Sequence, residues 1–343
     1  MKKLLSVILA LVMILSLSTV AFAADDQNAQ FTKTYRLTNA GTSNPEETFT
    51  FKFTFDHVTD TNVDANTITA PPIPDSTIKF DAGTATVDGF TQDVAVALAD
   101  VKWPGVGVYY YKVNEKAGTT AGVTYDTEKT AYLKVTVAYD TGTHTYYTAF
   151  VTLDLADSNG DGQTDVKTGG FTNEYSAGSL SIGKNVTGNM GDQNAYFAVK
   201  VTLTGVTGKD YLDSYNVSAT SNTSNPTSIE IGKETTFYLK HGETITISNL
   251  PYGVTYTVVE EDYTTDAKGK YDAPTYSLNG AEATTTSISS AEIDTTSESV
   301  VITNNKGTTV DMGVTLDSLP YILLLAVACV GMAVVLTKKR RED

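Results

Sequence analysis

Residues 29–37 read AQFTKTYRL, a run in which Ala29, Phe31, Tyr35 and Leu37 fall on alternate positions and Lys33 takes the place between Phe31 and Tyr35. Side chains of a β-strand point alternately to opposite faces, so this pattern predicts a strand whose apolar face carries one lysine into the core. The same period places Glu115 behind Tyr109, Tyr111 and Val113 in YYYKVNE, and Asn173 between Phe171 and Tyr175 in GGFTNEY. The order lysine, glutamate, asparagine then recurs. Lys184 aligns with Leu180, Ile182 and Val186, Glu260 with Val254, Tyr256 and Val258, and Asn304 with Val300 and Ile302. Six polar side chains are therefore expected to point inward.

A buried charge without a partner costs several kcal/mol or more, so such groups must be paired, neutralised or consumed by chemistry. One strand lysine in an apolar register is ordinarily an edge residue whose stem snorkels to water. Two complete sets in the same chain order argue for something else. A neutral lysine amine can attack an asparagine carboxamide and expel ammonia, leaving an amide crosslink, while a protonated glutamate polarises the carbonyl and shuttles protons. Desolvation favours both forms, because it lowers a lysine pKa and raises a glutamate pKa.

The rest of the chain agrees with an all-β fold. Short runs rich in Thr, Val, Tyr and Phe, among them TFTFKFTFD, TAYLKVTVAYD, THTYYTAFVTLDL, AYFAVKVTLTG and ETITISNL, are separated by Gly, Asp, Asn and Pro. Strands and turns at this spacing predict two tandem antiparallel sandwiches of the immunoglobulin-like kind. A degenerate repeat marks them: WPGVGVYYYKVNE resembles LPYGVTYTVVE, QFTKTYRLT resembles SLSIGKNVT, and GGFTNEY resembles VVITNNK. The expected domains are residues 30–175 and 180–306, joined through Ser176 to Ser179. Each lysine then lies on a first strand and each asparagine on a last one.

At the ends, residues 1–23 read as a secretory signal, with Lys2 and Lys3, an apolar run and an Ala-Phe-Ala site ending at Ala23. Residues 319–337 read as a membrane span followed by a basic cytoplasmic tail, residues 338–343, which leaves the region between the two outside the cell. The single cysteine, Cys329, lies in the apolar tail, so the exported region has no disulfide to staple it. A net charge of −16 argues for solubility and against nucleic acid as a partner. The three histidines, His57, His144 and His241, are far apart in sequence, and no HExxH, GxSxG or phosphate-binding glycine loop occurs, so an enzyme with an external substrate is not expected. No cofactor is required. Calcium is one reading of DSNGDGQTD, which sets Asp157, Asn159, Asp161 and Asp165 around Gly162 with oxygen ligands at alternate positions. Thr168 stands where a bidentate glutamate would close such a loop, and the stretch reads equally well as a polar hairpin turn.

Taken together, PGVGVYYYKVNE followed by GVTYD, then FTNEY with LSIGKNVTG, LKHGETITISNLPYGVTYTVVEEDY and ITNNK resemble the streptococcal-type backbone pilins of Gram-positive bacteria, whose Ig-like domains carry internal Lys–Asn isopeptide bonds. The resemblance implies bonds between Lys33 and Asn173 and between Lys184 and Asn304, promoted by Glu115 and Glu260. It also implies a sortase that cuts ahead of the membrane segment and joins the new carboxyl to a lysine of the next subunit. Val310, Asp311, Met312 and Gly313 stand where the family's sorting core reads VPTG, with Val310 and Gly313 matching, which implies a cut between Met312 and Gly313. Lys167 lies close to the family's linking lysine, and it also reads as a solvated loop residue. The implied protein is a surface pilus shaft subunit whose partners are other copies of itself, a sortase and a basal pilin or the cell wall. An anchored monomeric adhesin or minor pilin built from the same domains is the alternative.

Overall fold

Alternation of burial along the strands decides the architecture. In a computed structural model of the chain, every second residue from Gly107 to Glu115 is buried while those between are half-exposed, and buried residues alternate likewise along residues 47–53 and 131–137. The structure describes residues 22–23, 28–62, 68–127, 129–155, 170–220, 224–284 and 287–307, together with Leu325. The predicted signal, sorting residues, membrane span and basic tail lie outside the described residues apart from Phe22, Ala23 and Leu325. Among the described residues no helix is long and apolar enough to cross a membrane.

Two pairs of sheets follow one another along the chain. The first six-stranded sheet contains β1 (Phe22–Ala23), β3 (Glu47–Thr59), β4 (Ser76–Phe80), β6 (Gly107–Glu115), β8 (Ala131–Asp140) and β9 (Thr145–Leu155), in the order β1-β9-β8-β6-β3-β4. Facing it are β2 (Asn28–Leu37), β5 (Phe90–Ala97), β7 (Val123–Thr124) and β10 (Gly170–Tyr175), in the order β5-β2-β10-β7. Phe31 and Tyr35 of β2, Phe49 and Phe51 of β3, and Tyr109 and Tyr111 of β6 fill one core between the sheets. Phe31 meets Phe51 edge-on with ring centroids 4.9 Å apart, a favoured contact that locks the two sheets together.

The second six-stranded sheet contains β11 (Ala177–Thr187), β13 (Tyr215–Ala219), β14 (Ser228–Ile229), β16 (Thr244–Pro251), β18 (Thr275–Leu278) and β20 (Ser297–Asn305), in the order β14-β13-β16-β11-β20-β18. Its partner sheet orders β12 (Phe197–Thr204), β15 (Glu234–Leu239), β17 (Thr255–Glu260) and β19 (Ile288–Glu292) as β15-β12-β17-β19. Leu180, Ile182, Val201, Tyr256 and Val300 belong to a separate second core.

In both units the first long strand and the last lie side by side and parallel: β2 beside β10, with Phe171 opposite Lys33 and Asn173 opposite Tyr35, and β11 beside β20, with Ile302 opposite Lys184 and Asn304 opposite Val186. Each lysine and asparagine are thus two positions out of register on adjacent strands. A displacement of two keeps both side chains on one face, here the face that meets the other sheet.

The joint between the units is tighter than the expected connection from Ser176 to Ser179. β10 ends at Tyr175 and β11 begins at Ala177, leaving Ser176 alone between strands, and Ala177 packs into the first core. Ser176 N donates to Gly122 O at 2.8 Å, and Tyr252 N donates to Ser176 O at 3.1 Å. Asn249 exchanges two bonds with the Ser43 backbone, at 2.9 and 2.8 Å. Gly122 is required here: its φ is +77°, and a Cβ would stand 2.7 Å from Ser176 O.

Candidate functional site

The six residues singled out by periodicity form two clusters, one inside each unit. Lys33 and Asn173 come from adjacent strands of one sheet, and Glu115, the last residue of β6, reaches them from the facing sheet. Lys33 and Asn173 are fully buried and Glu115 nearly so. Lys33 Nζ donates to Glu115 Oε2 at 2.7 Å, while Asn173 Nδ2 donates to Glu115 Oε1, so the carboxyl bridges amine and amide. The lysine nitrogen lies 4.5 Å from the Phe49 ring centroid.

The orientation of the Asn173 amide is fixed by a fourth group. Asp126 N donates to Asn173 Oδ1 at 2.9 Å, and a reversed amide would set two N–H donors against each other. The acid therefore faces the amide nitrogen of Asn173, where the sequence reading had it polarising the carbonyl.

In the second unit Lys184 Nζ donates to Asn304 Oδ1 at 2.7 Å and lies 3.0 Å from Glu260 Oε1. Its floor is Phe197, with the ring centroid 4.4 Å from Nζ. The Glu260 carboxyl thus pairs with the Lys184 amine and lies within reach of the Asn304 amide. The backbone of Glu260 is held as well, its N–H donating to Tyr276 Oη at 2.8 Å.

Burial dominates the electrostatics of both clusters. Removing Lys33 from water lowers its pKa to about 8 against the opposing charge of Glu115, and burial raises Glu115 above the ordinary glutamate value despite Lys33. Lys184 is lowered and Glu260 raised for the same reason. Both shifts move toward a neutral amine beside a protonated acid.

The aromatic floors and the Asp126 donor escaped the sequence reading. TFTFKFTFD reads as a strand, but nothing in it connects Phe49 to Lys33. Lys167, the calcium candidates Asp157, Asn159, Asp161 and Asp165, and the sorting residues Val310, Asp311, Met312 and Gly313 lie outside the described residues.

Comparison with known proteins agrees with this layout. Residues 29–176 match a family described as a Spy0128-like isopeptide containing domain, and residues 178–306 match a domain family of unknown function, DUF7601. A pilin of Streptococcus pyogenes serotype M1 is 30% identical over 319 residues, covering 90% of this chain and 89% of that protein. The major pilin T3.2 of Streptococcus pyogenes serotype GAS13637 superposes with a TM-score of 0.53 at 26% identity, covering 82% of this chain and 99% of the other. A crystal structure of the Streptococcus pyogenes major pilin shares the fold at a TM-score of 0.56 and 23% identity, covering 83% and 100%. The isopeptide-domain match and the pilin relative make this a structural protein of the pilus-subunit class. The chain belongs to the pilin family.

Proposed function

We propose that this pilus subunit serves in the shaft and hardens itself by forming one isopeptide bond in each unit, between Lys33 and Asn173 and between Lys184 and Asn304. The observation that carries the reading is the buried contact of amine, carboxyl and carboxamide in both units, with the carboxyl of the first bridging the other two.

In the first unit the chemistry follows from the contacts. A proton moves from Lys33 Nζ to Glu115 Oε2, giving a neutral amine and a neutral acid, the forms that burial favours. Nζ adds to Asn173 Cγ, the carboxyl delivers its proton to Nδ2, and the resulting carboxylate takes the second amine proton. The Cγ–Nδ2 bond breaks and ammonia leaves. Nothing is oxidised or reduced, and the proton left on Glu115 departs with the ammonia as ammonium, which returns the carboxylate. Glu260 serves Lys184 and Asn304 in the same way.

The parallel pairing gives the bonds a mechanical purpose. Tension along a filament pulls β2 and β10 in opposite directions, which shears their ladder, and a covalent link between Lys33 and Asn173 carries that load past the rest of the unit. Polymerisation then follows at the cell surface. A sortase cleaves between Met312 and Gly313 and transfers Met312 to Lys167 of the next subunit, while the C-terminal span holds the precursor at the membrane. Calcium held by Asp157, Asn159, Asp161 and Asp165 would stabilise the folded first unit by mass action.

Intact mass of the exported region tests the crosslinks. Two losses of about 17 Da are expected, one removed by Glu115→Ala and the other by Glu260→Ala. A chain at its full sequence mass sinks the proposal. A ladder of high-mass species in boiled wall extracts is expected for the shaft, and a single band with the span retained would mean an anchored monomer.

A further inference from the structure

We propose that the backbone N–H of Asp126, held in position by that residue's own side chain, is the oxyanion donor for amide exchange at Asn173. The inference rests on the crosslinking reaction proposed above and assigns it a group that the lysine, glutamate and asparagine set does not contain.

When an amine adds to a carboxamide, negative charge develops on the oxygen, and a donor already aimed at that oxygen stabilises the transition state without reorganising. At Asn173 the other groups are engaged elsewhere: Lys33 Nζ and Asn173 Nδ2 both face Glu115. Asp126 N points at Oδ1 from 2.9 Å, within the range of an oxyanion contact. The cluster thus contains a nucleophile, a proton carrier at the leaving nitrogen and a donor at the oxygen.

The donor is built from local geometry. β7 pairs with β10 at Tyr175 opposite Val123 and Glu174 opposite Thr124. Two positions further, opposite Thr172, a regular antiparallel ladder would spend the Asp126 N–H on backbone. Instead Thr127 N turns back to Tyr125 O at 2.9 Å, and Asp126 Oδ2 accepts from Thr172 N at 3.1 Å. The side chain therefore satisfies the backbone of β10, and its own N–H is released toward the Asn173 side chain. Tyr125 anchors the turn, its hydroxyl donating to Glu47 Oε2 at 3.1 Å and accepting from Thr120 N at 3.2 Å.

The second unit is built differently. Asp272 N donates to the backbone oxygen of Asn305 at 2.8 Å, and Asn304 Oδ1 takes its hydrogen bond from Lys184 Nζ. The attacking amine is there the partner of the oxygen, and it must leave that contact to reach the carbon. The first bond is accordingly expected to form faster than the second within one molecule.

Cell-free synthesis of the full chain tests this. Samples are quenched in acidic guanidinium at intervals, digested, and scored for the cross-linked peptides of each unit by mass. Replacing residue 126 by the α-hydroxy analogue of aspartate turns its N–H into an ester oxygen while keeping the carboxylate, and should slow the Lys33–Asn173 bond about a hundredfold. Asp126→Ala, which frees the turn, should slow it at least tenfold, and Asp126→Asn, which keeps an acceptor for Thr172 N, should restore a rate close to the original. The Lys184–Asn304 bond is the internal control and should not change. Melting of the same variants in a Glu115→Ala background, where no first bond forms, separates loss of the donor from loss of the fold. An unchanged rate in the ester variant overturns the proposal, and equal slowing by Ala and Asn overturns the positioning role of the carboxylate. Absence of the first bond in the unaltered chain would instead refute the crosslinking reaction itself.

Discussion

Replacing Lys184 by methionine separates the covalent contribution of the second cluster from its packing. Methionine keeps an unbranched stem beside Phe197 and removes the amine, so the bond to Asn304 cannot form. Lys184 and Asn304 are 120 residues apart, and closing a loop of that length lowers the entropy of the unfolded chain by an amount worth about 5 kcal/mol. For a unit of this size each kcal/mol moves the melting temperature by about 3–5 °C, so its transition should fall by roughly 15–25 °C. Glu260 adds a pH signature. Burial already raises its folded pKa with Lys184 present, and removing that cation raises it further. A raised folded value contributes stability that is fully present below the unfolded pKa and lost as pH rises through the folded one. Lys184→Met should therefore be most stable below about pH 4 and weaken toward neutrality, and adding Glu260→Gln should remove most of that dependence. Scanning calorimetry, with mass to confirm one lost crosslink, makes the measurement. A second-unit transition that does not move, or an equal fall in both transitions, would refute the reasoning.

Crosslinking at Lys33 requires a neutral amine beside a protonated acid, a proton count held between the raised pKa of Glu115 and the value of about 8 for Lys33. The rate of mass loss should therefore fall above about pH 8 and again in acid, and a rate that keeps rising past pH 9 would contradict the role of Glu115 as proton carrier. Gly122→Ala forces a side chain into a left-handed φ of +77° against Ser176 O and should cost about 1–3 kcal/mol at the joint, seen as a lower first-unit transition; unchanged melting would show that the joint yields freely. Lys167→Arg keeps the charge but removes a competent nucleophile, so high-mass polymers should vanish from wall extracts while folded monomer remains, and a persistent ladder would place the link on another lysine.

Strand periodicity settled which faces are buried, and with them the inward direction of Lys33, Glu115, Asn173, Lys184, Glu260 and Asn304. It could do so because a residue's face depends only on its own strand, a property that survives any arrangement of the neighbours. The repeated chain order also placed each lysine on a first strand and each asparagine on a last one. What the chain could not reveal is which strands become neighbours. The parallel pairing of β2 with β10, two residues out of register, brings Lys33 and Asn173 to one face, and it is decided by packing two sheets around Phe31, Phe51 and Tyr109. The single-residue joint at Ser176 was hidden for a similar reason: Ala177 reads as linker until its methyl is seen in the first core. Asp126 shows the limit most clearly. Its residue type says nothing about where its backbone N–H points, because that direction is set by a turn at which β7 stops pairing and the side chain takes over Thr172 N. Periodicity in one dimension assigns faces, whereas distances between groups far apart in sequence exist only after the sheets have closed on each other.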